Sequence, residues 1–221
     1  MRHPAVYAKR EDVWRGGTIA YAPPVRRNSS AILTMKTMSE KFEIKESGSF
    51  GRGVFAVKPI NKDEQILEFT GPIISSEQAL QKPMDKMSCP LQIESTKYID
   101  IQEPGVLVNH SCSPNTGIKN DRFLVALKDI LPGQEIFYDY STTMDEDNWT
   151  LSCECGCQNC RHTIGDFRHL PLDVQKKYFE LNIVQSFIRG KLLMNIAEHG
   201  TSGSPSGADR ANLTYFPFGI Q

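Results

Sequence analysis

Asn109-His110-Ser111-Cys112-Ser113-Pro114-Asn115 is the stretch on which the reading of this chain turns. It follows the apolar Val106-Leu107-Val108 and crowds polar side chains and turn formers into one short run. Asn115 directly after Pro114 predicts a fixed turn. Asn109 and His110 can each offer a ligand both a donor and an acceptor. Taken alone, the stretch also fits a capped loop with a structural histidine.

Three further stretches lie around it. Downstream, Leu131-Pro132-Gly133-Gln134-Glu135-Ile136-Phe137-Tyr138-Asp139-Tyr140 runs from a turn signal into a strand whose end carries two tyrosines around one aspartate. Residues 138 and 140 of a strand point to the same face. A pair of surface aromatics would give the same pattern. Further on, Cys153-Glu154-Cys155-Gly156-Cys157-Gln158-Asn159-Cys160-Arg161 holds four of the chain's six cysteines. Disulfides between cysteines this close strain the bridge geometry, whereas thiolates around a tetrahedral zinc tolerate the crowding. The C-x-C-x4-C spacing supplies three thiolates, and a structural zinc needs four. The fourth comes from Cys157, Cys112 or Cys89. Upstream, Gly51-Arg52-Gly53-Val54-Phe55-Ala56 leads into a strand. Its glycines let backbone approach a ligand closely, although a plain turn reads the same way. No third glycine opens a helix, so this is not the dinucleotide fingerprint.

The order of these four stretches resembles the SET-domain lysine methyltransferases that carry a post-SET zinc segment. The likeness runs from about Lys41 to Gly165. It implies a mainly β fold with short helices, the SET β-clip, in which the Asn-His segment threads a pseudoknot beside the strand-end tyrosines. It implies S-adenosylmethionine as methyl donor and a lysine of a protein or peptide, histone tails among them, as acceptor. On that likeness, Gly51, Arg52, Gly53, Asn109, His110 and Tyr140 contact the cofactor. Tyr140 matches the catalytic tyrosine, and Tyr138 a residue lining the lysine channel. Cys112, Cys153, Cys155 and Cys160 match the Zn2+ ligands, with Cys157 outside the set and Cys89 a small buried hydrophobe. A tyrosine rather than a phenylalanine at 138 implies mono- or dimethylation. Departures from the family are Val106-Leu107 where Arg-Phe is common, Phe69 where tyrosine is common, and Arg52 where some members carry tryptophan.

Composition is consistent with this. The chain has 221 residues, 39% hydrophobic and 23% charged, as expected of a soluble globular protein. A formal net charge of -1 gives no general basic field for nucleic acid, so a zinc-stapled nucleic-acid binder fits poorly. No apolar run suits a membrane span or a secretory signal, which predicts an intracellular protein, nuclear or cytoplasmic, with reduced thiols. A catalytically silent SET module that binds a peptide or partner shares the fold. Against it stand Asn109, His110, Tyr138 and Tyr140, all present.

The remaining segments are read by texture. Residues 1–38, with Arg2, Lys9, Arg10, Arg15, Arg26 and Arg27, read as a mobile N-terminal extension, and Met35 and Met38 allow a later start. The SET domain is expected over 39–142 and the post-SET segment over 143–165. Strands are predicted at Phe42–Lys45, Gly53–Val57, Gln65–Phe69, Leu91–Ile93, Tyr98–Ile101, Phe123–Lys128 and Glu135–Tyr138, with a helix at Ser76–Leu80. Leu131-Pro132-Gly133 is expected to join the last two strands as a hairpin. Over 166–199, Pro171 near a helix start and the spacing of Val174, Tyr178, Leu181 and Ile188 predict a helical segment whose apolar stripe packs on the core. Residues 200–221 read as a flexible tail.

Overall fold

The computed structural model describes residues 40–48, 51–82, 90–147 and 149–200, the last six by main chain only. The expectations for residues 1–38, Cys89 and the tail after Gly200 lie outside the described residues.

Short strands dominate. β1 (Phe42–Glu46) pairs antiparallel with β2 (Arg52–Ala56). β3 (Gln65–Glu68), β9 (Phe123–Ala126) and β8 (Thr116–Lys119) form a sheet in the order β3-β9-β8. β4 (Ile73–Ser75), β6 (Lys97–Ile99) and β5 (Leu91–Glu94) form another in the order β4-β6-β5. Burial along β9 does not alternate: Leu124, Val125 and Ala126 are all buried. Protein therefore covers both faces of β9, the middle strand. The helix α1 (Ser76–Leu80) begins where predicted, at a reciprocal cap between Ser75 and Gln78.

The expected hairpin does not form. Residues 130–136 instead run back along the chain near β2. Ile60 and Ile130 exchange both backbone bonds, Ala56 N–H donates to the Gln134 carbonyl at 2.9 Å, and Ile136 N–H donates to the Val54 carbonyl at 2.8 Å. With those groups paired, β10 (Phe137–Tyr138) joins β7 (Asn109–His110) in parallel, matching Phe137 to Asn109 and Tyr138 to His110. Asn115 splints the other edge: its Oδ1 accepts from Phe137 N–H at 2.8 Å and its Nδ2 donates to the Glu135 carbonyl at 2.8 Å. The Asn109–Asn115 loop and the tyrosine strand end are thereby threaded together.

A first core gathers Phe42, Val54, Phe69, Leu124, Ile130 and Ile136 beneath these sheets. The ribbon of β11 (Thr150–Ser152) and β12 (Thr163–Gly165) leads into a second core of Phe167, Tyr178, Phe179, Ile183 and Ile188. The single helical stripe expected there is two helices, α2 (Leu172–Glu180) and α3 (Ser186–Gly200). Asn182, with a left-handed φ of 55°, breaks between them, a conformation asparagine tolerates. Ile183 then packs against Gly117 of β8, where a Cβ would approach Ile183 Cγ2 to 2.5 Å. No helix among the described residues is long and apolar enough to cross a membrane.

Candidate functional site

The site is assembled at the β7–β10 crossing. Asn109 Nδ2 donates to Glu135 Oε1 at 2.8 Å and to the Arg52 carbonyl at 3.2 Å. This brings the Gly51–Gly53 turn to the Asn-His loop. Both Nδ2 protons are spent there, which fixes the amide and leaves Oδ1 as its ligand-facing group. Glu135 Oε2 accepts from the Ser47 hydroxyl at 2.6 Å, so one carboxylate gathers three segments. A Cβ at Gly53 would collide with the Glu135 carboxylate, which would have to shift, and would approach Asn109 Nδ2 to 3.0 Å. Gly51 is needed for another reason: its φ is +76°, and no atom lies near the missing Cβ. The Arg52 side chain is half exposed and pairs with Glu103 at 2.5 Å.

The tyrosines meet as expected. Tyr138 and Tyr140 have ring centroids 4.8 Å apart. Phe69 meets the Tyr138 ring edge-on at 5.6 Å, and His110 meets Tyr140 at 5.2 Å. The Tyr140 hydroxyl donates to the Val108 carbonyl at 3.0 Å. Tyr98 of β6 hydrogen-bonds the Glu146 carboxyl, which ties the β4-β6-β5 sheet to the segment after the tyrosines. Burial raises the pKa of that carboxyl.

His110 is committed inside the protein. Its Nδ1 accepts from Tyr140 N–H at 3.2 Å, so the hydrogen bonding assigns the proton to Nε2, 3.3 Å from Cys112 Sγ. Burial, chiefly, lowers its pKa to about 4, with nearby Arg161 adding and Asp139 opposing. The imidazole is therefore neutral and offers a ligand its ring face and main chain rather than a free nitrogen.

Beside it the sulfurs converge. Cys112 Sγ lies 3.8 Å from Cys153 Sγ, and Cys160 Sγ lies 3.7 Å from Cys153 Sγ. The edge of a tetrahedron with metal–sulfur bonds of roughly 2.3 Å is about 3.8 Å, so these separations suit one thiophilic cation. Ligand atoms of His110, Cys112, Cys153 and Cys155 all fall within 4.8 Å of one another. That grouping has His110 where the sequence reading has Cys160. In the tautomer its neighbours select, His110 Nε2 carries the proton and has no lone pair to give a cation. His110 then serves as an N–H donor to the Cys112 sulfur. Burial raises the Cys112 thiol pKa strongly and that of Cys153 to about 11. At Cys155 burial also pushes upward, but N–H groups of Cys112 and Cys157 outweigh it and the value falls to about 6. Cys157 Sγ sits 3.5 Å from Cys155 Sγ.

Three residues carry structure here that the sequence reading quoted without assigning. Glu135 orients Asn109. Asp139, fully buried, receives Arg161 Nη1 and Nη2, each at 2.8 Å, on its two oxygens. Arg161 N–H in turn donates to Cys112 Sγ at 3.4 Å. Their position inside the Glu-Ile-Phe-Tyr-Asp-Tyr and Cys-Arg motifs was the available signal.

Comparison with known proteins agrees with this geometry. Residues 51–141 match the family model described as the SET domain. The chain is 29% identical over 126 residues to human histone-lysine N-methyltransferase 2D, a match covering 50% of this chain and 2% of that protein. It is 28% identical over 161 residues to histone-lysine N-methyltransferase mes-4 of Caenorhabditis elegans, covering 60% of this chain and 18% of that one. The chain thus spans less than a fifth of either relative. Among solved structures, the methyltransferase domain of human histone-lysine N-methyltransferase SETMAR aligns with a TM-score of 0.48 at 22% identity, over 57% of this chain and 58% of that one. The described residues form a mainly β fold with short helices. Residues 51–141 of this chain are thus similar to the SET domain.

Proposed function

We propose that the protein transfers a methyl group from S-adenosylmethionine to a lysine side chain of another protein, with histones as the first substrates to test. The observation that carries this reading is the parallel pairing of Asn109–His110 with Phe137–Tyr138, which sets the Gly51–Gly53 turn, the Asn109 amide and both tyrosine rings around one place. S-adenosylmethionine supplies a methyl group already activated on a sulfonium, so the protein's task is chiefly alignment.

A free lysine has a pKa of about 10.4 and is mostly protonated at neutral pH. A lysine entering beside the packed rings of Phe69 and Tyr138 meets apolar surroundings that disfavour the ammonium, and a neighbouring sulfonium does the same. The amine loses its proton to water before attack. Asn109 and the backbone of residues 51–53 hold the donor. Tyr140, fixed by its bond to the Val108 carbonyl, orients the methyl group and the amine through its phenol and ring, not as a strong base. Main-chain carbonyls at the channel accept weak C–H contacts from the polarised methyl. The Tyr138 hydroxyl occupies room that further methyl groups need, which favours mono- or dimethyllysine as product.

The sulfur separations support one zinc ion held by Cys112, Cys153, Cys155 and Cys160, which fixes the segment after the tyrosines over the site. Radiolabelled methyl transfer to histones and to a cell lysate tests the reading, with Tyr140→Phe as control. No label above that control in any protein pool, despite S-adenosylmethionine binding, would leave a silent SET module instead.

A further inference from the structure

Asp139 stands between the two tyrosines of the site and is fully buried. A buried carboxylate is tolerable only when hydrogen bonds replace its lost water. Oδ1 accepts from Arg161 Nη2 at 2.8 Å and from Ser141 N–H at 3.1 Å. Oδ2 accepts from Arg161 Nη1 at 2.8 Å. Its remaining donor comes from far along the chain: the Tyr178 hydroxyl, in α2, donates to Oδ2 at 2.9 Å. Tyr178 is only 2% exposed. α2 lies outside the matched residues 51–141 and was expected only to pack. Two further contacts hold this segment to the same place. Gln185 N–H donates to the Thr142 carbonyl at 3.1 Å, and Ile183 fills the space over Gly117.

We propose that Tyr178 is a positioning residue for methyl transfer: its hydroxyl latches the C-terminal helical segment onto Asp139 and so fixes the Tyr138–Tyr140 strand end. The proposal rests on the methyltransferase reading for its kinetic consequence, but the latch itself does not. The Asp139 carboxylate holds Ser141 N–H, and its carbonyl accepts from Thr142 N–H at 3.0 Å and from Thr142 Oγ1 at 2.7 Å. Those bonds turn the chain directly after Tyr140. The same carboxylate holds Arg161, whose N–H reaches Cys112. Loosening Oδ2 therefore reaches the aromatic pair first. It leaves the Asn109–Glu135–Ser47 network, which orients the donor side, in place.

Tyr178→Phe removes one oxygen and keeps the packing volume. In the full-length chain it is expected to lower kcat about tenfold, leave KM for S-adenosylmethionine within twofold, and speed hydrogen exchange at Ser141 and Thr142. The control is Ile188→Ala, a buried apolar truncation in the same core. It is expected to lower the melting temperature at least as much as Tyr178→Phe, with kcat and exchange at 141–142 unchanged. Unchanged exchange at 141–142 in Tyr178→Phe overturns the latch. Faster exchange with kcat within twofold of wild type, in an active enzyme, overturns the positioning role. If the phenylalanine variant does not fold, the hydroxyl is needed for folding and the positioning role is overturned too. If wild type transfers no methyl group, the functional reading has failed separately, and the exchange measurement alone decides the latch.

Discussion

Gly53→Ala is the sharpest probe of the donor side of the site. A Cβ there would lie 2.9 Å from Glu135 Cδ and 3.0 Å from Asn109 Nδ2, so the carboxylate must move. Forcing a methyl into a filled site costs roughly 1–3 kcal/mol. Displacing Glu135 also removes the charge-assisted bond to Asn109, worth roughly 1.5–3 kcal/mol when the acceptor is ionised. The two costs overlap, because the side chain relieves the clash by giving up the bond. We therefore expect a total of about 2–3 kcal/mol, most of it felt as a misplaced amide. Affinity for S-adenosylmethionine, measured by titration calorimetry, should fall by about thirty- to a hundred-and-fiftyfold. Glu135→Ala should weaken binding similarly, and the double variant should be no worse than either single one, since both act on one interaction. Gly51→Ala makes a contrast: its site is open, so its cost is the left-handed backbone alone, about 1–2 kcal/mol. Affinity within twofold of wild type for Gly53→Ala, or fully additive effects in the double variant, would refute the reasoning.

Further outcomes follow from the other parts of the site. Tyr140→Phe should reduce methyl transfer at least a hundredfold while S-adenosylmethionine still binds, read by comparing radiolabel transfer with calorimetry. Tyr138→Phe should shift the product toward higher methylation; dominant trimethyllysine from wild type, by mass spectrometry, would defeat the account of its hydroxyl. Cys155→Ser should lower zinc content and activity together, and active wild-type protein with almost no zinc by metal analysis would remove the four-thiolate site. Gly117→Ala should drive Ile183 out of its seat at a cost of roughly 1–3 kcal/mol, lowering the melting temperature by roughly 2–12 °C.

How much was legible in the sequence depended on distance along the chain. The capped helix at Ser76–Leu80, the strands at Gln65 and Leu91 and the crowding of cysteines are local matters. Side-chain period, turn chemistry and ligand spacing act over a few residues, and the sequence displays them directly. The hairpin failed because a turn signal says that the chain reverses, not which strand it meets. Ile130, Gln134 and Ile136 found partners at Ile60, Ala56 and Val54, seventy or more residues away, and β10 was left for β7.

Tyr178 shows the same limit inside the site. Its stripe of apolar neighbours predicted burial, and it is buried. That its hydroxyl ends on Asp139 could not be read from either segment alone. The sequence by itself determined the chemistry available: two tyrosines, an amide, an imidazole and a set of thiols in a recognisable order. Only the tertiary structure decided that Asn109 is spent on Glu135, that His110 is neutral and turned to Cys112, and that Asp139 joins the cysteine loop to α2. A buried polar group must find its partners wherever the fold puts them, and those partners are fixed by packing in space rather than by position along the chain.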